Sequence, residues 1–185
     1  KDYVKKTMVE PSAAELWTRW MAPELPAGKV VPLAGELTLL WAKRKGRRTA
    51  RPEVQETLVE LQRRGYTLGI IANALSTTEI PQWLEQEGLK RLFKAVVLSS
   101  QFGRRKPDPY IFIEAARQAG MEPGDCAYVG DNPSRDISGA RQAGFGAVVT
   151  FLESRTLAKE PPKGRERPDA MISKVGDLLN IFPPR

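Results

Sequence analysis

The sequence predicts an α/β chain built on a doubly wound parallel sheet, with a small helical piece in front of it. Three observations predict it. Short apolar runs, "YTLGIIANA", "AVVLSS", "CAYVGD" and "AVVTFL", have strand length and many β-branched residues. Stretches with helical spacing separate them, as the crossovers of a parallel sheet require. Gly and Pro punctuate the junctions, as at turns.

Taken in order, the region before Arg51 carries two amphipathic helices, "PSAAELWTRWMAPELP" and "GELTLLWAKRKGRR". Trp17 and Trp20 sit three apart, and Leu37, Leu40 and Trp41 continue helical spacing, which suits packing better than a cofactor box. No strand is expected there. After Arg51, "RPEVQETLVELQRRG" opens with Pro52 and closes on Gly65 as a helix does. The strand "YTLGIIANA" follows, then a helix in "STTEIPQWLEQEGLKRLF" with Pro81 in its first turn. The strand "AVVLSS", the loop "QFGRRKPD" and the helix "PYIFIEAARQAG" come next. The strand "CAYVGD", the helix "SRDISGARQAG", the strand "AVVTFL", a short "DAMIS" strand and a terminal helix complete the chain. The polar stretch "AKEPPKGRERPD" is expected to be a surface loop.

Composition narrows the chemistry. The 185 residues are 41% hydrophobic and 28% charged, so a packed core is expected rather than disorder. No apolar run reaches membrane-spanning length. Cys126 is the single cysteine, which precludes an internal disulfide and fits a reducing cytoplasm. There is no histidine, so Ser–His and Cys–His pairs and His-bound zinc are excluded. Chemistry must run on carboxylates, lysine, hydroxyls and backbone amides. The net charge of +7 is concentrated early: residues 1–51 hold 11 Lys/Arg against 5 Asp/Glu. The run "AKRKGRRTAR" at 42–51 could attract a polyanion, but no aromatic residues interleave it, which disfavours nucleic acid.

In a sheet of this kind ligands bind beyond the carboxyl ends of the strands. Three strand ends carry suitable residues. "IIANA" delivers Asn73 and a turn whose backbone amides can cradle phosphate oxygens. "RRKPDPYIF" delivers Lys106, and "YVGDNPSRD" delivers Asp131 and Asp136 as hard oxygen ligands for Mg²⁺. Amides, an ammonium and a divalent cation around one point make a phosphoryl site. Individually each residue has a plainer reading: an Asx-turn for Asn73, a surface lysine for Lys106, a helix-terminal charge for Asp136.

From "RPEVQETLVELQRRGYTLGIIANA" through "VVLSSQFGRRKPDPYIF" to "YVGDNPSRDISGARQAGF", about residues 51–152, the chain resembles the haloacid dehalogenase-like (HAD) hydrolase superfamily. It is most similar to the phosphatase branch with a helical cap. The resemblance implies a Rossmann-like sheet, with residues 1–50 as a partial helical cap and 51–185 as an α/β core lacking its first strand. It implies Lys106 as the catalytic, phosphate-binding lysine, Asn73 at the phosphate-contacting turn, and Asp131 and Asp136 as the Mg²⁺ site. The substrate would be a small phosphate ester, attacked by an Asp nucleophile to give an aspartyl-phosphate, with a second Asp two residues later as acid/base.

Two departures stand out. Ala72 occupies a position where the family usually has Ser or Thr, at a cost of roughly 0.5–1.5 kcal/mol for one lost hydrogen bond. More seriously, none of the seven aspartates forms an Asp-x-Asp, and "KDYVKK" is too polar for the nucleophile strand. In the family that strand lies between the ones ending here at Asn73 and Asp131. The expectation is therefore that the nucleophile lies upstream of this chain, and that the chain alone is inactive. Two alternatives stay open: a non-catalytic module that binds polyanions through 42–51, and a haloacid dehalogenase, which needs no Mg²⁺ and would not explain Asp131 and Asp136.

Overall fold

In the computed structural model the described residues are 2–44, 46, 49–152 and 167–185. The expected surface loop at 158–169 falls mostly outside them, as do parts of the 42–51 run. The region before Arg51 is helical, but the first of the two helices expected there is broken into shorter pieces and a further helix precedes it. Helix α1 (Asp2–Thr7) leads to a short strap at residues 8–10, and Val9 there forms an antiparallel bridge with Arg104. Ser12 and Glu15 then close a capping box on α2 (Ala13–Leu16), which passes into a π-turn at Trp17–Met21. After α3 (Ala27–Val30) the long α4 (Ala34–Arg44) completes the region. The Trp17 indole N–H donates to the buried Thr38 hydroxyl at 2.8 Å, so this tryptophan is a packing residue that ties α4 to the π-turn.

The second region alternates as expected. Helix α5 (Val54–Arg63) precedes β1 (Gly69–Ala72), and α6 (Glu79–Gln86) precedes β2 (Ala95–Leu98). A short α7 (Ser99–Phe102) and the longer α8 (Pro109–Ala119) lead to β3 (Ala127–Gly130). A π-turn (Pro133–Ile137) and α9 (Ser138–Gln142) connect to β4 (Ala147–Phe151), and β5 (Ala170–Ile172) precedes the C-terminal helix Leu178–Ile181. Among the described residues no helix is long and apolar enough to cross a membrane.

The strands β1 to β5 pair in parallel, but among the described residues they form a sheet in two parts. One joins β1 to β2, with Ile71 opposite Val97, and the other has the order β3-β4-β5, with Gly130 opposite Thr150. Helix α8 packs on β1 and β2 and also on α9, with Ile111 and Phe112 fully buried, and so bridges the two parts. Between β1 and β3 lies a cavity of about 660 Å³. One side is lined by Leu58, Leu61 and Leu178, the other by Ala115 and Ala119. The burial pattern records the same opening. Val148 and Val149 of β4 are sealed, whereas Val129 of β3 keeps 38% of its surface. Parallel strands are ordinarily covered on both faces and flanked by neighbours.

Candidate active site

Asn73 follows β1 and Asp131 follows β3, and Lys106 touches residues that follow each of these strands. The Asn73 side-chain amide donates to the Lys106 carbonyl at 3.0 Å, and its carbonyl oxygen accepts from the Lys106 amide at 2.8 Å. This pair of bonds, between residues 33 apart, fixes the lysine's main chain. Asn73 is thus spent on another loop rather than on an Asx-turn of its own. The Lys106–Pro107 peptide is cis, and Asp108 caps α8 by accepting from the Tyr110 amide at 2.9 Å.

From that anchored backbone the Lys106 ammonium reaches Asp136 Oδ1 at 2.7 Å and the Tyr128 hydroxyl at 2.5 Å. The side chains of Lys106 and Asp136 keep only 12% and 4% of their surface, so this is a buried pair rather than a surface lysine. Burial by itself would push the Lys106 ammonium down. The partners Tyr128 and Asp136 outweigh it and hold the ammonium above its ordinary range. Burial foremost, with Asp136 adding to it, drives the Tyr128 phenol up to about 12 against the pull of Lys106. Tyr128 is therefore a neutral hydroxyl that accepts from the lysine and can donate onward to Asp136, 3.4 Å away.

Asp136 uses its other oxygen to accept from the Asn132 amide at 2.9 Å, which orients the carboxylate across the turn after β3. The turn is closed by Asn132, whose side chain accepts from the Arg135 amide and the Ser134 hydroxyl. Gly130 makes this approach possible, since a Cβ there would lie 2.5 Å from the Asp136 carboxyl carbon. Gly130→Ala is accordingly expected to displace Asp136 and weaken its pairing with Lys106. Loss of the Lys106–Asp136 proximity in a crystal structure of the variant would verify this; an unmoved carboxylate would contradict it.

Asp131 follows β3 directly, half-buried, at the mouth of the same site. Among the described residues no group of three or more acidic, His or Cys side chains gathers to hold a metal. Asp131 and Asp136 nonetheless fit Mg²⁺, which typically takes one or two carboxylates and completes its octahedron with waters and substrate phosphate oxygens. Their hard oxygens at one strand end match that demand.

Tyr128 was not singled out by sequence reasoning. The signal available was its position in "AYVGD": two residues before Gly130, it shares that glycine's face of the strand. Cys126 lies just before β3, and its thiol, which burial pushes up, donates weakly to the Glu122 carbonyl. Within the basic run, the described Arg51 stacks over the Phe151 ring at 4.4 Å.

An α/β fold with an ammonium and two carboxylates at the carboxyl ends of parallel strands places the chain among the open-sheet proteins whose ligands bind at that edge. Comparison with known proteins makes this specific. Residues 41–150 match the family model described as haloacid dehalogenase-like hydrolase. The chain is 36% identical over 132 residues to a glyceraldehyde 3-phosphate phosphatase of Methanopyrus kandleri, covering 70% of this chain and 55% of that protein. It is 35% identical over 156 residues to a phosphoserine phosphatase of Thermus thermophilus, covering 84% and 59%. The solved 2-haloacid dehalogenase of Pseudomonas syringae pv. Tomato superposes with a TM-score of 0.66 at 28% identity, covering 85% of this chain and 63% of that one. The chain belongs to the haloacid dehalogenase-like hydrolase family. It spans little more than half the length of these two phosphatases.

Proposed function

We propose that this chain forms most of a Mg²⁺-dependent phosphohydrolase for small phosphate esters, completed by a strand that carries the Asp nucleophile. The observation that carries the reading is the buried Lys106–Asp136 pair at 2.7 Å, with the lysine backbone clamped by Asn73 at the common end of β1 and β3. That the named sequence relatives are phosphatases supports it. The cavity between β1 and β3 is where the nucleophile strand would run, parallel to both, bringing its carboxylate beside Lys106.

In this reading the Lys106 ammonium neutralises a phosphate oxygen and orients the nucleophile. The amides after Ala72 hold a second oxygen. The Asp carboxylate attacks phosphorus as the ester oxygen leaves with a proton from the second Asp. Water then attacks the acyl phosphate and the same Asp takes the proton back. Asp131 and Asp136 would hold Mg²⁺, which offsets phosphate charge when bound. Tyr128 keeps Lys106 aimed without carrying charge itself.

The test uses this chain joined to an apolar strand that ends in Asp-x-Asp. Asp131→Asn should lower Mg²⁺-dependent phosphate release from p-nitrophenyl phosphate by about 10²–10³-fold with the fold intact. Activity that survives the substitution overturns the metal assignment. Binding of a polyanion that weakens steeply with salt, with no phosphate release, would favour a binding module instead.

A further inference from the structure

The buried carboxylate of Glu10 takes no part in the chemistry above, yet it meets both loops that serve it. Glu10 lies in the strap between α1 and α2. Its amide donates to the Gly103 carbonyl at 2.9 Å, and the Arg105 amide donates to Met8 O at 3.0 Å, so the strap lies along residues 103–105, directly before Lys106. The Glu10 side chain keeps 1% of its surface. It accepts from the Ser99 hydroxyl at 2.6 Å and pairs with Arg105 at 3.2 Å. The Ser99 oxygen in turn accepts from the Ala74 amide at 3.0 Å. Ala74 is the residue after Asn73. One carboxylate from the helical region thereby ties the turn after β1 to the lysine loop.

We infer that Glu10 is a positioning residue: through Ser99 it fixes the Ala74 turn that cradles phosphate, and through Arg105 it seats the lysine loop on that turn. The inference deepens the phosphohydrolase reading and rests on it for the ligand. A buried charge is costly unless each of its oxygens is engaged, so a carboxylate placed here for packing alone is a poor solution. Here one oxygen serves Ser99 and the other Arg105. The neighbouring Arg104 is taken by Asp108 at 2.7 Å, and among the described residues Arg105 and Ser99 are the groups that act on Glu10.

The arrangement also has two hydrogen-bonding states. Ionised Glu10 accepts a hydrogen bond from the Ser99 hydroxyl. When Glu10 is protonated it donates to Ser99, whose own proton can turn to the Ala74 carbonyl 3.2 Å away. Burial, against the hydrogen bond from Ser99 and the charge of Arg105, raises the Glu10 carboxyl above 4.5. For a raised carboxyl the ionised form carries the burial cost. That cost is full above the folded pKa and disappears as pH falls through it towards the unfolded value.

The experiment is amide NMR on this chain, wild type beside Glu10→Gln and Ser99→Ala, with titration by inorganic phosphate in Mg²⁺. In wild type the Ala74 amide resonance should titrate with a midpoint above 4.5, and Glu10→Gln should remove that inflection. Hydrogen exchange at Ala74 should quicken about tenfold or more in both variants, while Val148 and Val149 stay protected. Phosphate should bind about tenfold more weakly to both. Ser99→Ala leaves the Glu10–Arg105 pair in place, so it serves if Glu10→Gln does not fold. An Ala74 amide that exchanges at the wild-type rate in Ser99→Ala, or that shows no inflection dependent on Glu10, overturns the inference. Failure of the wild-type chain to bind phosphate counts against the phosphohydrolase reading, and the Ala74 measurements still decide the role of Glu10.

Discussion

Lys106→Met should destabilise the fold by about 3–5 kcal/mol in urea denaturation and abolish phosphate binding together. The substitution strands Asp136 with 4% of its side-chain surface and no cation. Removing one member of a buried pair leaves the other's desolvation uncompensated, which is why the loss exceeds the worth of a surface ion pair. Lys106→Met/Asp136→Leu should recover much of the stability, with phosphate binding still absent. A loss below about 1 kcal/mol for Lys106→Met would mean that the pair behaves as an exposed one and does not organise the site.

The second large effect concerns the cavity between β1 and β3. Joining an apolar strand ending in Asp-x-Asp to the N-terminus should raise stability by several kcal/mol and bring Mg²⁺-dependent phosphate release. The chain alone should release none. The stability gain arises because a parallel strand there satisfies backbone groups on two edges at once, each hydrogen bond contributing about 0.5–1.5 kcal/mol. It also covers Val129 and the apolar lining contributed by Leu58, Leu61 and Ala115. Changing the first Asp of the added strand to Asn should keep the stability and remove the activity. This separates the two roles of the strand. If stability does not change on adding the strand, the cavity is not its seat.

The grouping of the candidate residues was legible in the sequence. Asn73, Lys106, Asp131 and Asp136 each follow or closely follow an apolar run, and ligands of parallel sheets gather at strand ends. Periodicity therefore placed them on one edge. It could not say what each side chain does there. Asn73 holds the Lys106 backbone across 33 residues, and Glu10 reaches Ser99 across 89. Pairings at such separations leave no trace in local spacing. Tyr128 was read only as part of a strand, because an aromatic in an apolar run is ordinarily core.

The sequence by itself determined the alternation of helices and strands, the helical character of residues before Arg51, the exclusion of histidine and disulfide chemistry, and the order of residues at the strand ends. These follow from side-chain period, composition and turn residues, which are local properties. Only the tertiary structure decided that the described strands form two parallel sheets with an apolar cavity between them. It also decided that Lys106 is buried against Asp136 and Tyr128, and that a carboxylate from the helical region grips both loops of the site. The physical reason is that strand pairing and buried charge are settled by which surfaces exclude water from one another. That depends on elements distant in the chain meeting in space.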